Sequence, residues 1–254
     1  MNEVKKNKIY LSLAKVSSWT GLSRIFGLIR DVVTTNLLGA SVFHDIFVVT
    51  LKIPNLFRRF FAEGAFNQAF IPIYSDYQKG NDEKNTQEFI NSLAGSFLSI
   101  LFLFTILVLL ITPIFILIFA PGFYYDDSKR IIAIDLLRIM FPYLALISLV
   151  SFASGIQNTH EKFSIPAFTP LIFNITLIIA AIFIAPILNL PVYALAWGVL
   201  IAGFLQLLIH IYALKNINRL PTPKINFSHP GQINVLKLMI PAILAGGIVQ
   251  INLL

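Results

Sequence analysis

The sequence predicts an all-α, polytopic membrane helix bundle: six complete spans and the start of a seventh. Three observations carry that reading. The chain is 57% hydrophobic and only 12% charged, with a mean hydropathy of +0.79, far from the composition of a soluble domain. Several apolar runs exceed the ~20 residues needed to cross about 30 Å of hydrocarbon as a helix. Backbone groups must be satisfied inside lipid, and the alternating polar–apolar pattern of a membrane β-barrel is absent, so the runs read as helices.

Taken in order, a basic amino terminus, MNEVKKNK, precedes a first span over about 9–38. That run is too long for a secretory signal, holds internal charges and offers no small-x-small cleavage site, so it reads as a retained span. A second span covers about 42–71, with a kink expected at Pro54. No charge occurs between Glu88 and Asp126, giving a third span over about 89–119. A fourth covers about 131–157, with Pro142 inside it. The uncharged stretch from Phe163 to Leu214 is too long for one span; the PILNLP interruption at 186–191 divides it into 167–185 and 192–214. Residues 1–214 thus form a six-helix amino-terminal lobe, 215–235 a cytoplasmic linker, and 236–254 a seventh helix still running where the sequence stops. The unanchored tail Leu238–Leu254 reads as the interior of a helix, so the chain is expected to be an amino-terminal piece of a longer protein.

Lys and Arg in the loops set the orientation. With the amino terminus in the cytoplasm, the inner segments hold Lys5, Lys6, Lys8, Lys79, Lys84, Lys162, Lys215, Arg219 and Lys224, whereas the outer ones hold Lys129 and Arg130. The pI near 9.6 is therefore a matter of topology rather than of nucleic-acid binding. The chain has no cysteine, which excludes disulfides, a thiol nucleophile and Cys-ligated metal sites. Asp126-Asp127 reads as a solvated turn, and no acidic metal cluster or nucleophile of the kind a polyprenyl-phosphate enzyme needs is present. No catalytic residue, metal or cofactor is expected.

The functional signal is charge inside apolar runs. SRIFGLIRD places Arg24, Arg30 and Asp31 in the first span, and DIFVVTLKIPNLFRRFFAEGAFNQAFIP places Asp45, Lys52, Arg58, Arg59 and Glu63 in the second. A charge at mid-bilayer costs roughly 2.5–3.5 kcal/mol, so intramembrane charges face a polar cavity or a partner. Arg24 and Asp31 are two turns apart on one helix face, and Asp45, Lys52 and Arg59 repeat at the same interval. Pairing of arginines with acids would staple the two helices, yet Asp31 and Glu63 neutralise only two of the five cations Arg24, Arg30, Lys52, Arg58 and Arg59. The surplus points to a cavity for an anionic cargo. Asn174, Gln206 and His210 read as interhelical hydrogen-bonding groups, and Trp197 as packing.

The strings SRIFGLIRD, PNLFRRFFAEGAFNQAFIP and FSIPAFTPLIFN resemble the amino-terminal half of the MurJ (MviN) lipid II flippases, within the multidrug/oligosaccharidyl-lipid/polysaccharide exporter superfamily. The resemblance covers essentially the whole chain. It implies one six-helix lobe of a two-lobe transporter around a central cavity. It further implies a multi-pass protein of the bacterial cytoplasmic (inner) membrane, active in peptidoglycan and cell-wall biogenesis and so in cell shape. The cargo so implied is lipid II, the undecaprenyl-pyrophosphate-linked disaccharide-pentapeptide, moved by alternating access with a carboxy-terminal lobe that this sequence does not contain. The family's important charges fall here on Arg24, Arg30, Asp31, Asp45, Arg58 and Glu63. Arg58 and Arg59 point about 100° apart; the family pattern favours Arg58, unbroken spacing from Lys52 favours Arg59, and Arg58 is preferred. The expected cargo contacts are Arg24, Arg30, Asp31, Arg58 and Glu63, with Asp45, Lys52 and Arg59 in support. The competing readings are an exporter of another lipid-linked oligosaccharide and a non-functional fragment of a flippase.

Overall fold

The structure is a computed structural model that describes residues 3–59, 61, 64–80 and 82–251. Among these residues it is helix and loop only, with no strand. The order is α1 (Glu3–Leu38), α2 (Val42–Arg58), α3 (Ala65–Lys79), α4 (Glu83–Leu110), α5 (Thr112–Phe119), a single turn α6 (Pro121–Tyr124), α7 (Asp127–Met140), α8 (Tyr143–Thr159), α9 (Ser164–Ile179), α10 (Val192–Asn216) and α11 (Pro230–Ile251).

The runs 83–110, 127–159, 164–187 and 192–216 are long and apolar enough to cross a membrane. The protein is accordingly an all-α, multi-pass membrane bundle. Bulky apolar side chains cover its outer faces: Phe102, Leu103 and Leu110 on α4, and Phe204, Leu208 and Tyr212 on α10, are all more than half exposed. A soluble protein does not carry such stripes; a bilayer covers them.

The second apolar segment differs from expectation. In place of one span over 42–71, α2 continues as helix through Pro54 and the chain breaks ten residues later, before α3. Proline has helical φ, and inside α2 it removes the ladder bond that the Thr50 carbonyl would otherwise accept and crowds that carbonyl with its ring. Gly64 makes the real break. Its N–H bonds the Arg59 carbonyl at 3.1 Å, five residues back. A Cβ on it would sit 2.9 Å from that same oxygen, so the turn closes tightly only around glycine. With 17 and 15 residues, α2 and α3 lie at or below the lower end of the lengths that span a bilayer. The other runs are also interrupted: at Ile111 between α4 and α5, and at Phe141–Pro142 between α7 and α8. Beyond α9, Ala180–Ile184 widens into a π-helix. The seventh helix begins at Pro230, before the expected 236.

Two apolar clusters hold the bundle. One joins α2, α7, α8 and α10 around Ile46, Leu137, Phe141 and Leu195. The other joins α3, α4, α8 and α11 around an aromatic stack, in which Phe66 lies 4.6 Å from Phe97 and 5.4 Å from Phe70. Helix α1 packs chiefly along α9. The 217–229 segment is extended and strapped across α4. Lys224 N–H bonds the Asn91 carbonyl, Thr222 N–H the Asn91 side chain, and Ser92 the Asn226 carbonyl.

Candidate functional site: a charged cavity between α1, α2 and α8–α10

Between these helices lies a cavity of about 730 Å³, within the range of sites that hold sizeable ligands. Its walls follow from helix periodicity. On α2, His44, Phe47, Val48, Leu51, Lys52, Asn55 and Arg58 line it; spaced three and four apart, they are one helical face. On α1 the lining residues Arg30, Asp31, Thr34, Thr35 and Leu38 form one face in the same way. Opposite stand Tyr143, Ser151 and Ser154 of α8, Thr169, Phe173 and Asn174 of α9, Gln206 of α10 and Asn67 of α3.

Four of the expected charges line this space: Arg30, Asp31, Lys52 and Arg58. Among the described residues, the charged side chains that line the wall are thus three cations and one carboxylate. Arg24 does not line it; nearly two turns before Arg30 on α1, it is exposed. Arg59 and Asp45 are also exposed and outside the lining, so of the two adjacent arginines it is Arg58 that reaches the cavity. Glu63 lies outside the described residues. The cavity is therefore built by three expected cargo residues, with Lys52 of the supporting set.

Arg30 has the most defined geometry. Its Nε and Nη2 donate to Asp31 Oδ1 at 3.0 and 2.6 Å, and Nη1 donates to Asn174 Oδ1 at 2.9 Å. The guanidinium also lies 5.8 Å from the centre of the Phe173 ring, a cation–π arrangement. A guanidinium has five N–H donors; with three engaged, two remain on a residue that lines the cavity. Asp31 is the more exposed partner, its side chain 63% accessible against 27% for Arg30, so solvent weakens that pair.

Behind the wall, α8, α9 and α10 share a buried polar network. His210 contacts Gln157 through Nδ1 at 2.8 Å and Thr169 through Nε2 at 2.7 Å, while Gln206 donates to the Thr169 carbonyl at 3.0 Å. The interhelical use expected for Gln206 and His210 is what the geometry contains, and Gln206 additionally faces the cavity. The hydroxyl and amide residues of α3 and α8 were not foreseen. Asn67 donates to Ser151 at 2.9 Å, and single Ser and Asn residues on separate helices carry no signal in one sequence. Trp197 is about half exposed rather than packed inside. Asp126 is an ordinary helix cap that accepts from Lys129 N–H, and no three metal-ligating side chains cluster among the described residues.

At the bundle end where α3, α8 and α10 finish, His160 Nε2 lies 3.0 Å from the Tyr74 hydroxyl and 2.7 Å from Gln78 Nε2. Burial, reinforced by Arg219 and Lys162, pushes the His160 pKa below its ordinary value, and burial raises the Tyr74 hydroxyl to about 12.

Comparison with known proteins places this cavity in a family. The model of the family "Lipid II flippase MurJ" matches residues 34–254. The chain is 43% identical over 242 residues to a probable lipid II flippase MurJ of Buchnera aphidicola from Acyrthosiphon pisum, covering 95% of this chain and 47% of that protein. It is 37% identical over 250 residues to the lipid II flippase MurJ of Burkholderia cenocepacia, covering 97% and 48%. The chain thus spans about half the length of the curated relatives it matches. With the family match running through α2 to α11 and every charged lining residue but Arg30 and Asp31 inside it, the chain belongs to the MurJ lipid II flippase family.

Proposed function

We propose that this chain forms the cargo-binding lobe of a lipid II flippase, which passes the pyrophosphate-linked head group of the peptidoglycan precursor across the membrane. The family and the four membrane-length helices among the described residues make it a multi-pass protein of the bacterial inner membrane, and in this reading it works as a transporter rather than a catalyst. The observation that supports it is the cavity wall on which, among the described residues, Arg30, Lys52 and Arg58 stand with Asp31. Pyrophosphate concentrates negative charge on oxygens that guanidinium forks bind in paired, charge-assisted hydrogen bonds. In a low-dielectric cavity such contacts strengthen. Asp31 holds Arg30 when no cargo is present and yields when phosphate arrives. Glu63 acts in the same sense, and Arg24, Asp45 and Arg59 act at the rim or against a second lobe. The polyprenyl tail stays in lipid, and rocking of this lobe against its counterpart opens the cavity to alternate sides. Activity requires that second lobe.

The amino terminus lies in the cytoplasm. Supporting this, Lys79, Lys84, Lys162, Lys215, Arg219 and Lys224 sit in the loops and terminal helix turns at one end of the bundle, while Lys129 and Arg130 lie in the first turn of α7.

The cavity reading is tested by binding of farnesyl pyrophosphate to the chain in nanodiscs, with farnesol as the control. Pyrophosphate-dependent binding that falls on Arg30→Ala and Arg58→Ala is the expected result. Equal binding of both lipids, or no change in either variant, rejects the site.

A further inference from the structure

Asn174 sits on α9, only 6% exposed, and its amide is used at both ends. Oδ1 accepts from Arg30 Nη1 at 2.9 Å, while Nδ2 donates to the Ser23 carbonyl of α1 at 2.9 Å. It lies over Gly27, where a Cβ would still keep 3.5 Å from Nδ2, so the contact is close without crowding. The neighbouring Phe173 ring sits beneath the same guanidinium.

We infer that Asn174 is a positioning residue: it anchors α1 to α9 and aims the Arg30 guanidinium, two N–H donors outward, at an anionic group in the cavity. The inference rests on the cargo reading above and goes beyond it by assigning Arg30 its orienting partner.

The chemistry explains the residue type. Arg30 is held on one side by Asp31, an adjacent residue with an exposed carboxylate, which fixes no direction relative to the rest of the lobe. A second fixed acceptor is needed across the wall. A carboxylate there would neutralise Arg30 and compete with phosphate for it; an apolar side chain would leave Nη1 without an acceptor. An amide accepts from the guanidinium while leaving its charge in place, and its remaining N–H₂ group needs a carbonyl, which α1 supplies. Both bonds tie to α1, seven residues apart on that helix at Ser23 and Arg30. The amide therefore sets the rotation of α1 about its axis as well as the arginine's rotamer. Preorganisation of this kind lowers the ordering cost of binding.

The test is a double-mutant cycle on farnesyl pyrophosphate affinity in nanodiscs, with thermal midpoints measured alongside. Asn174→Leu is expected to weaken binding by about tenfold, the size of one hydrogen bond to a charged group. In Arg30→Ala the same substitution is expected to cost nothing further, because its effect passes through Arg30. Asn174→Ser, too short to reach both partners, serves as the second variant if the Leu form does not fold, with the same two expectations. Overturning results are an unchanged affinity in whichever variant folds, or a full additional loss in the Arg30→Ala background, which would mark Asn174 as a packing residue. If Arg30→Ala itself leaves affinity unchanged, the cavity reading fails first and the positioning role falls with it; if Arg30→Ala weakens binding and the Asn174 variants do not, only the positioning role is wrong.

Discussion

Arg30 commits three N–H donors to Asp31 and Asn174 and keeps two for the cavity, and that division governs what a substitution does. Replacement by Lys keeps the charge but loses the planar fork, so Arg30→Lys is predicted to retain part of the farnesyl pyrophosphate affinity that Arg30→Ala loses; equal affinities in the two variants would contradict the fork argument. His160 offers a pH-dependent counterpart at the loop end of the bundle. Its folded pKa is lowered by burial and by Arg219 and Lys162, so the unfolded chain binds the proton more readily. The stability this neutral histidine allows is present above 6.5, its ordinary value, and is lost as pH falls through the lower folded pKa. The thermal midpoint is predicted to drop on acidification below about 6.5, and less so in His160→Gln; parallel curves for the two proteins would remove His160 as the cause. Arg30, Asp31, Lys52 and Arg58 were legible in the sequence because a charge in an apolar run must face something polar. Asn174 was recognisable as an interhelical hydrogen-bonding residue that could line a cavity, but not as the partner of Arg30, since its partners lie more than 140 positions away.

The helices were legible as apolar runs, and their interruptions were not. Pro54 is the obvious breaker, yet α2 continues past it, since proline's φ is helical; Gly64 breaks the chain through a close approach to Arg59 that no residue pattern announces. The extended linker depends on a similar approach. A Cβ on Gly95 of α4 would collide with the Lys224 backbone, and that backbone is held by Asn91 and Ser92. Because the obstacle is main chain rather than a flexible side chain, Gly95→Val is predicted to lift the strap from α4. Trypsin cleavage at Arg219 or Lys224 would then accelerate by several-fold while farnesyl pyrophosphate binding stays unchanged. Cleavage at the original rate would mean that the strap accommodates the side chain.

For the molecule as a whole, the cavity faces of α1 and α2 close against α8, α9 and α10, while the apolar outer faces of α4 and α10 meet lipid. Seven-residue spacing grouped Arg24 with Asp31 and Asp45 with Lys52 and Arg59, yet of these only Asp31 and Lys52 line the cavity; the opposite wall arises from helices far along the chain, so its hydroxyl and amide residues emerged only in the folded protein. Topology is open to direct labelling. A single cysteine in place of Lys224 is predicted to react with an impermeant maleimide only from the cytoplasmic side, and one in place of Lys129 only from the outside; the reverse pattern would invert the proposed orientation and the side from which cargo enters. The most direct test of the charged cavity as a cargo path is lipid II exposure on the outer leaflet of cells that depend on this chain in its full-length context. Arg30→Ala and Arg58→Ala proteins, inserted at normal abundance, are predicted to leave lipid II on the cytoplasmic side, and normal outer-leaflet exposure in both variants would contradict the account.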